Sequence, residues 1–85
     1  MYKYAVVITF SFDSQVSVLL FDEYDKALTF MRNDVLDEYR IDTEENGWNV
    51  EYVIYENEGR AVLTDYFDDY NDVTEWRIGT IFEHD

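Results

Sequence analysis

DEYDKALTFMRNDVLDEYR, residues 22–40, is where the hydrophobic period of the chain changes. Upstream, apolar residues recur at every second position. Here Tyr24, Ala27, Leu28, Met31, Val35 and Tyr39 recur at steps of three and four, which places them on one face of a helix. Asp22 reads as the N-cap. Acids at 22, 23 and 25 suit the positive end of the helix dipole, and Arg40 suits the negative end. A helix over 22–40 would span roughly 28 Å at 1.5 Å per residue. The exit is IDTEENG (41–47), with Asn46-Gly47 as the stop signal.

On either side the period is two. Tyr2, Tyr4, Val6, Ile8 and Phe10 alternate with Lys3, Ala5, Val7, Thr9 and Ser11, the signature of a strand. Ala5 and Val7 in the second set suggest a central strand covered on both faces. SFDSQ (11–15) is a turn, and VSVLLF (16–21) closes an opening hairpin. Beyond the helix, WNVEYVIYE (48–56), RAVLTDYF (60–67) and VTEWRIGTIFE (73–83) read as strands, separated by NEG (57–59) and DDYND (68–72). Gly59 suits a left-handed turn, and Gly79 inside the fifth strand suggests a bulge or a close approach. The order ββαβββ predicts an α+β fold with two layers: a mainly antiparallel five-stranded sheet with one helix packed on one face. On the other face Asn49, Glu51, Glu75 and Arg77 share parity with Val53, Tyr55 and Ile81. That face is apolar enough to invite a partner or a second subunit.

Residues 1–85 are expected to form a single compact acidic domain. The chain is 47% hydrophobic with eight Tyr, six Phe and two Trp, so a packed core is within reach despite a net charge of −14. Cysteine is absent, which excludes disulfides and thiolate metal sites. No apolar run approaches the roughly 20 residues that span a bilayer. MYKYAVVITFSFD lacks the basic head and small-residue cleavage site of a secretory signal. A cytoplasmic location with no membrane partner is expected.

The charge is unevenly spread. Residues 1–21 carry only Lys3 and Asp13 and are net neutral. Residues 22–45 hold nine acids and three bases, and residues 65–85 hold seven acids and one base. DYFDDYNDVTEW (65–76) packs five acids among four aromatics. Such a charge disfavours the compact state through self-repulsion.

Several chemistries lack their parts. The only histidine, His84, reads as a tail residue, and the serines at 11, 14 and 17 have no evident base. The three glycines are isolated, so no phosphate loop can form. DDYND is dense in oxygen ligands, but Val73 and Thr74 stand where an EF-hand loop needs a further ligand and a glycine. Close carboxylate pairs are nearly inevitable among 20 acids and read as solvated surface. Six bases argue against direct nucleic-acid binding. No enzyme activity, cofactor or metal is expected.

The same electrostatics, reversed, suit a partner whose basic groove evolved for phosphates. Carboxylates would steer it in, and rings would anchor it. The candidate contact residues are Glu23, Phe30, Asp34 and Asp37 on the helix, with Asp68, Asp69, Tyr70, Asp72 and Glu75 in the C-terminal third. Phe30 lies off the apolar stripe, in the sector of Glu23, Asp34 and Asp37; the alternative is that it caps the edge of the core. Tyr66 and Trp76 belong to the same aromatic set, although strands 4 and 5 also need Phe67, Trp76 and Ile78 for a core.

In size, acidity and antiparallel α+β layout the chain resembles the phage and mobile-element inhibitors that imitate DNA. Uracil-glycosylase inhibitors, anti-restriction proteins and some anti-CRISPR proteins are of this kind. The resemblance is one of type: no motif of these families aligns, and no functional residue is carried over. It implies an inhibitor whose partner is a basic nucleic-acid-binding protein. The alternative is a self-associating assembly module, a homodimer in the simplest case, whose acidity serves solubility only.

Overall fold

The computed structural model describes residues 1–81. The expectation for His84 and the end of the fifth predicted strand lie outside the described residues. The observed order is β1 (Tyr4–Phe10), β2 (Asp13–Phe21), α1 (Tyr24–Arg40), β3 (Asn49–Tyr55), β4 (Arg60–Tyr66) and β5 (Asn71–Thr80). The five strands form one antiparallel sheet in the order β2-β1-β5-β4-β3, and α1 lies on one face of it. The fold is therefore the two-layer ββαβββ arrangement. No helix among the described residues is long and apolar enough to cross a membrane.

Pleat parity sorts the strands. Val6, Ile8, Ala61, Leu63, Trp76 and Val50 face the helix and are buried against Ala27, Met31 and Val35. These helical positions recur every four residues, the spacing that gave the helix its apolar stripe. Trp76, 1% exposed, is the largest fully buried side chain. It stands between Ile8 and Ala61 in the cross-strand register.

The opposite face carries Val16, Val18 and Leu20 from β2, Ala5 and Val7 from β1, Glu75 and Arg77 from β5, and Val53 and Tyr55 from β3. β1 is central, as its pattern predicts. No second layer covers Ala5 and Val7 among the described residues, however, and both stay half-buried. Ile81 follows β5 and donates its N–H to the Lys3 carbonyl at 2.8 Å.

Two local details depart from the expectations. β2 begins at Asp13, three residues before the predicted start at 16, because a bulge between Thr9 and Phe10 lets Phe10 pair with Asp13 around a tighter turn. The helix N-cap is Glu23 and makes no side-chain cap bond. Asp22 instead turns to Lys26, whose Nζ lies 3.1 Å from its carboxylate.

The helix C-terminus also widens. Ile41–Glu45 form a π-helical turn, in which the Asn46 N–H bonds back to the Ile41 carbonyl at 3.1 Å. Gly47, at φ +68°, then reverses the chain, and the Trp48 N–H reaches the Asp42 carbonyl at 2.9 Å. At the other end of the sheet Gly59, at φ +59°, is buried beside Ile78 and the Tyr24 hydroxyl. A β-carbon there would meet that hydroxyl at 3.0 Å.

Candidate protein-binding surface

Folding divides the acids by position along the helix. Asp22, Glu23 and Asp25 stand at its start. Lys26 pairs there with Asp22 and, at 3.7 Å, with Glu23. The hydrogen bond from Lys26 holds the Asp22 carboxyl below the ordinary carboxylate range. The second group gathers where the helix ends, about 25 Å away at 1.5 Å per residue. Glu44 and Glu45 are exposed in the π-helical turn, next to the segment that delivers Trp48.

Trp48 begins a ladder of rings. Its indole packs edge-on to Phe67 at 5.1 Å, and Phe67 stacks on Tyr70 at 4.8 Å. The Phe67 N–H donates to the Tyr70 carbonyl at 2.9 Å, which closes a tight turn with Asp68 and Asp69 exposed at its tip. Tyr70 is 60% exposed and Trp48 41%. One end of the molecule thus combines wet aromatic surface with Glu44, Glu45, Asp68 and Asp69. None of these four acids has a cation within ion-pair distance among the described residues. By contrast, five of the six bases (Lys26, Arg32, Arg40, Arg60 and Arg77) are paired with carboxylates.

Beneath this end lies a buried carboxyl pair. Asp42 continues the helix stripe seven residues after Val35 and is 2% exposed; Asp65 shares the parity of Ala61 and Leu63 and is 5% exposed. Glu38 from α1 and Asp72 from β5 press on the same pair. With both aspartates ionised, Asp42 Oδ2 and Asp65 Oδ1 have no hydrogen-bond donor. A proton on Asp65 supplies one, directed at Asp42. Burial first, then that bond and the charges of Asp42, Glu38 and Asp72, push the Asp65 carboxyl up to about 7. Burial also raises Glu38. No group of three or more His, Asp or Glu side chains able to hold a metal ion is found among the described residues.

The residues singled out from the sequence fall in different places. Asp68, Asp69 and Tyr70 stay together on the turn. Asp72 is half-buried opposite Asp65. Asp37 is exposed, 3.5 Å from Arg40. Asp34 is half-buried and accepts the Trp76 indole N–H at 2.9 Å, which ties it to the core. Glu23 sits at the far end of the helix. Glu75 lies on the opposite sheet face, between Arg60 at 3.4 Å and Arg77 at 2.5 Å. Those two arginines hold its carboxyl below the usual range, Arg77 most strongly.

Phe30 packs at the core edge, 5.5 Å from the Phe21 ring, and borders a shallow depression lined by Asp25, Lys26, Thr29 and Asn33. Phe30→Ala is expected to destabilise the domain by about 1–3 kcal/mol, below the 3–5 typical of a fully buried Phe. Urea denaturation checks this, and a loss under about 0.5 kcal/mol, the scale of ordinary surface changes, would show that the ring does not support the core.

Trp48 was not among the sequence candidates. Its signal was the hairpin register: if Asn49 faces Tyr66, Trp48 stands opposite Phe67.

No protein-family model matches the chain, and no curated protein or solved structure matches it.

Proposed function

We propose that this chain is a non-enzymatic inhibitor that occupies the basic groove of a nucleic-acid-binding protein in place of DNA. The observation that carries the reading is the ladder Trp48–Phe67–Tyr70, bordered by Asp68 and Asp69, at the end where Glu44 and Glu45 leave the helix. Unpaired carboxylates raise the encounter rate with a basic partner. Rings already stacked on one another lose little side-chain freedom on binding, so they suit the anchoring role. Direct contact with nucleic acid is disfavoured because the bases are largely neutralised by their own neighbours. The proposed contact residues are therefore Asp68, Asp69 and Tyr70, with Trp48 added.

The test is capture of partners from a host lysate by immobilised protein, followed by displacement with duplex DNA. Binding should weaken steeply with salt, since screening shortens to roughly 3 Å at 1 M. Asp68→Lys with Asp69→Lys should weaken binding about tenfold or more at about 0.1 M salt, a loss of ~1.4 kcal/mol. Unfolding stability should stay within about 0.5 kcal/mol, as for other surface changes. Asp34 is a poor probe, because reversing it also strips the partner from Trp76. Captured proteins without a basic groove, or complexes that excess duplex fails to displace, would sink the proposal.

One observation favours the second reading, an assembly module. Val53 and Tyr55 are exposed on the sheet face away from the helix, the face that also exposes Val16, Val18 and Leu20 at its opposite edge.

A further inference from the structure

The two ends of the sheet differ in charge. The β3 edge carries Glu51 and is followed by Glu56 and Glu58. The β2 edge carries no charge from Ser14 to Phe21. It contains no proline, lysine or inward-pointing charge, the devices that usually protect an edge strand.

The ladder parity shows which backbone groups this edge offers. Just beyond β1 the Ser11 N–H bonds the Val73 carbonyl, and the Ile78 N–H bonds the Gly59 carbonyl, which turns the even-numbered residues of β5 toward β4; the odd-numbered residues of β5 and of β1 therefore face one another. The even-numbered residues of β1 turn toward β2, where Val6 meets Leu19 and Ile8 meets Ser17. On β2 the odd-numbered residues are thereby satisfied by β1. Val16, Val18 and Leu20 point their N–H and C=O groups outward. Their side chains are exposed too, at 54%, 56% and 47%. The same three residues thus present free hydrogen-bonding groups and aliphatic surface together.

We infer that the β2 edge pairs with the β2 edge of a second copy, antiparallel across a two-fold axis, to give one continuous ten-stranded sheet. Electrostatics selects this occupant. Two chains of net charge −14 each can approach only through a surface that lacks acids, and Ser14–Phe21 is an uncharged strand edge that is complementary to itself. With the axis at Ser17, Val16 faces Val18 of the second copy and Leu20 faces Ser14 of the second copy. The free backbone groups then meet in hydrogen-bonded pairs, and Asp13 falls opposite Phe21 of the second copy rather than opposite an acid. The aliphatic side chains of both copies form one strip on the open face.

The inference does not depend on the inhibitor reading, and its test uses the free protein alone. Sedimentation equilibrium of the full chain should show a dimer that tightens as salt rises from about 0.05 to 0.5 M, because screening relieves repulsion between the copies. Partner binding through the acidic end should respond in the opposite sense. Val18→Pro removes an outward N–H and leaves the β1 ladder intact, a substitution tolerated at strand edges. It should raise the dimer dissociation constant at least tenfold while the far-UV spectrum is retained. Val18→Asp, which adds repulsion at the axis and no backbone change, should do the same and serves if the proline variant does not fold. A wild-type chain that stays monomeric at about 0.5 mM in about 0.5 M salt would overturn the inference. So would a dimer that both variants leave intact but Val53→Asp disrupts, which would place the contact on the open face instead.

Discussion

Trp76→Ala is expected to destabilise the domain by about 3–5 kcal/mol, the range for deleting a buried Trp or Phe. The indole fills the space between Ile8 and Ala61 under the helix and is 1% exposed. Its loss leaves a cavity that neighbouring strands cannot close, because β5 is held by hydrogen bonds on both sides. It also removes the N–H that Asp34 accepts. A domain of this size has roughly 5–13 kcal/mol in total, so the variant forfeits a large share of its stability and should unfold at a markedly lower urea concentration. Trp76→Phe separates the two contributions. It keeps most of the ring and forfeits the hydrogen bond, and should cost about 1–2 kcal/mol. Urea denaturation followed by far-UV circular dichroism measures both. Equal losses in the two variants would mean that the Asp34 contact, and not the packing, dominates.

Lowering the pH from about 8 to about 5 should stabilise the protein, the reverse of ordinary acid denaturation. Asp65 titrates at about 7 in the folded chain against an ordinary 3.8, through burial first and then its contact with Asp42. Between those values the folded state holds a proton that the unfolded state has released, so stability falls as pH rises through this window. The contribution is complete below the unfolded value and lost above the folded one. Glu38, raised by burial, acts in the same sense. Asp22 and Glu75 act in the opposite sense, lowered chiefly by Lys26 and Arg77, and their contribution is lost only in stronger acid. Asp65→Asn carries no charge and can donate to Asp42. It should raise stability at pH 8 by about 1–3 kcal/mol, the scale of a buried unsatisfied polar group, and flatten the slope between pH 5 and 8. Urea midpoints at several pH values decide it. A wild-type midpoint that climbs with pH across this range would refute the shared proton.

What could be read in advance was what local periodicity encodes. The step from Phe21 to Tyr24 changes the period from two to that of a helix, and the short NEG and DDYND connections force β3, β4 and β5 into a meander. The buried acids were misjudged as solvated. Asp42 and Asp65 both sit in phase with apolar neighbours, and only their chemical type hid them. The same prior favoured Asp34 and Glu75 as surface groups, whereas one serves Trp76 and the other is held by two arginines. The edge role of β2 depends on where β1 finds its second neighbour, a choice between distant segments that no short window records. The Trp48 ladder joins residues across a hairpin and shows only once the register is known.

The strand order has a consequence for how the chain acquires its structure. β5 occupies the centre of the sheet and separates the β2–β1 hairpin from the β4–β3 pair. These two halves share no strand ladder until β5 enters, and Tyr4 must then find Thr80. Closing so long a loop is entropically slow, and folding on the millisecond-to-second scale of sheet-rich domains is expected. During synthesis on the ribosome, the hairpin has emerged and waits with both flanks open. The uncharged flank of β2 is exposed throughout that interval, while the acids of α1 repel neighbouring nascent chains. High negative charge would then act as a chaperone built into the sequence, keeping unfinished chains apart until their fifth strand arrives.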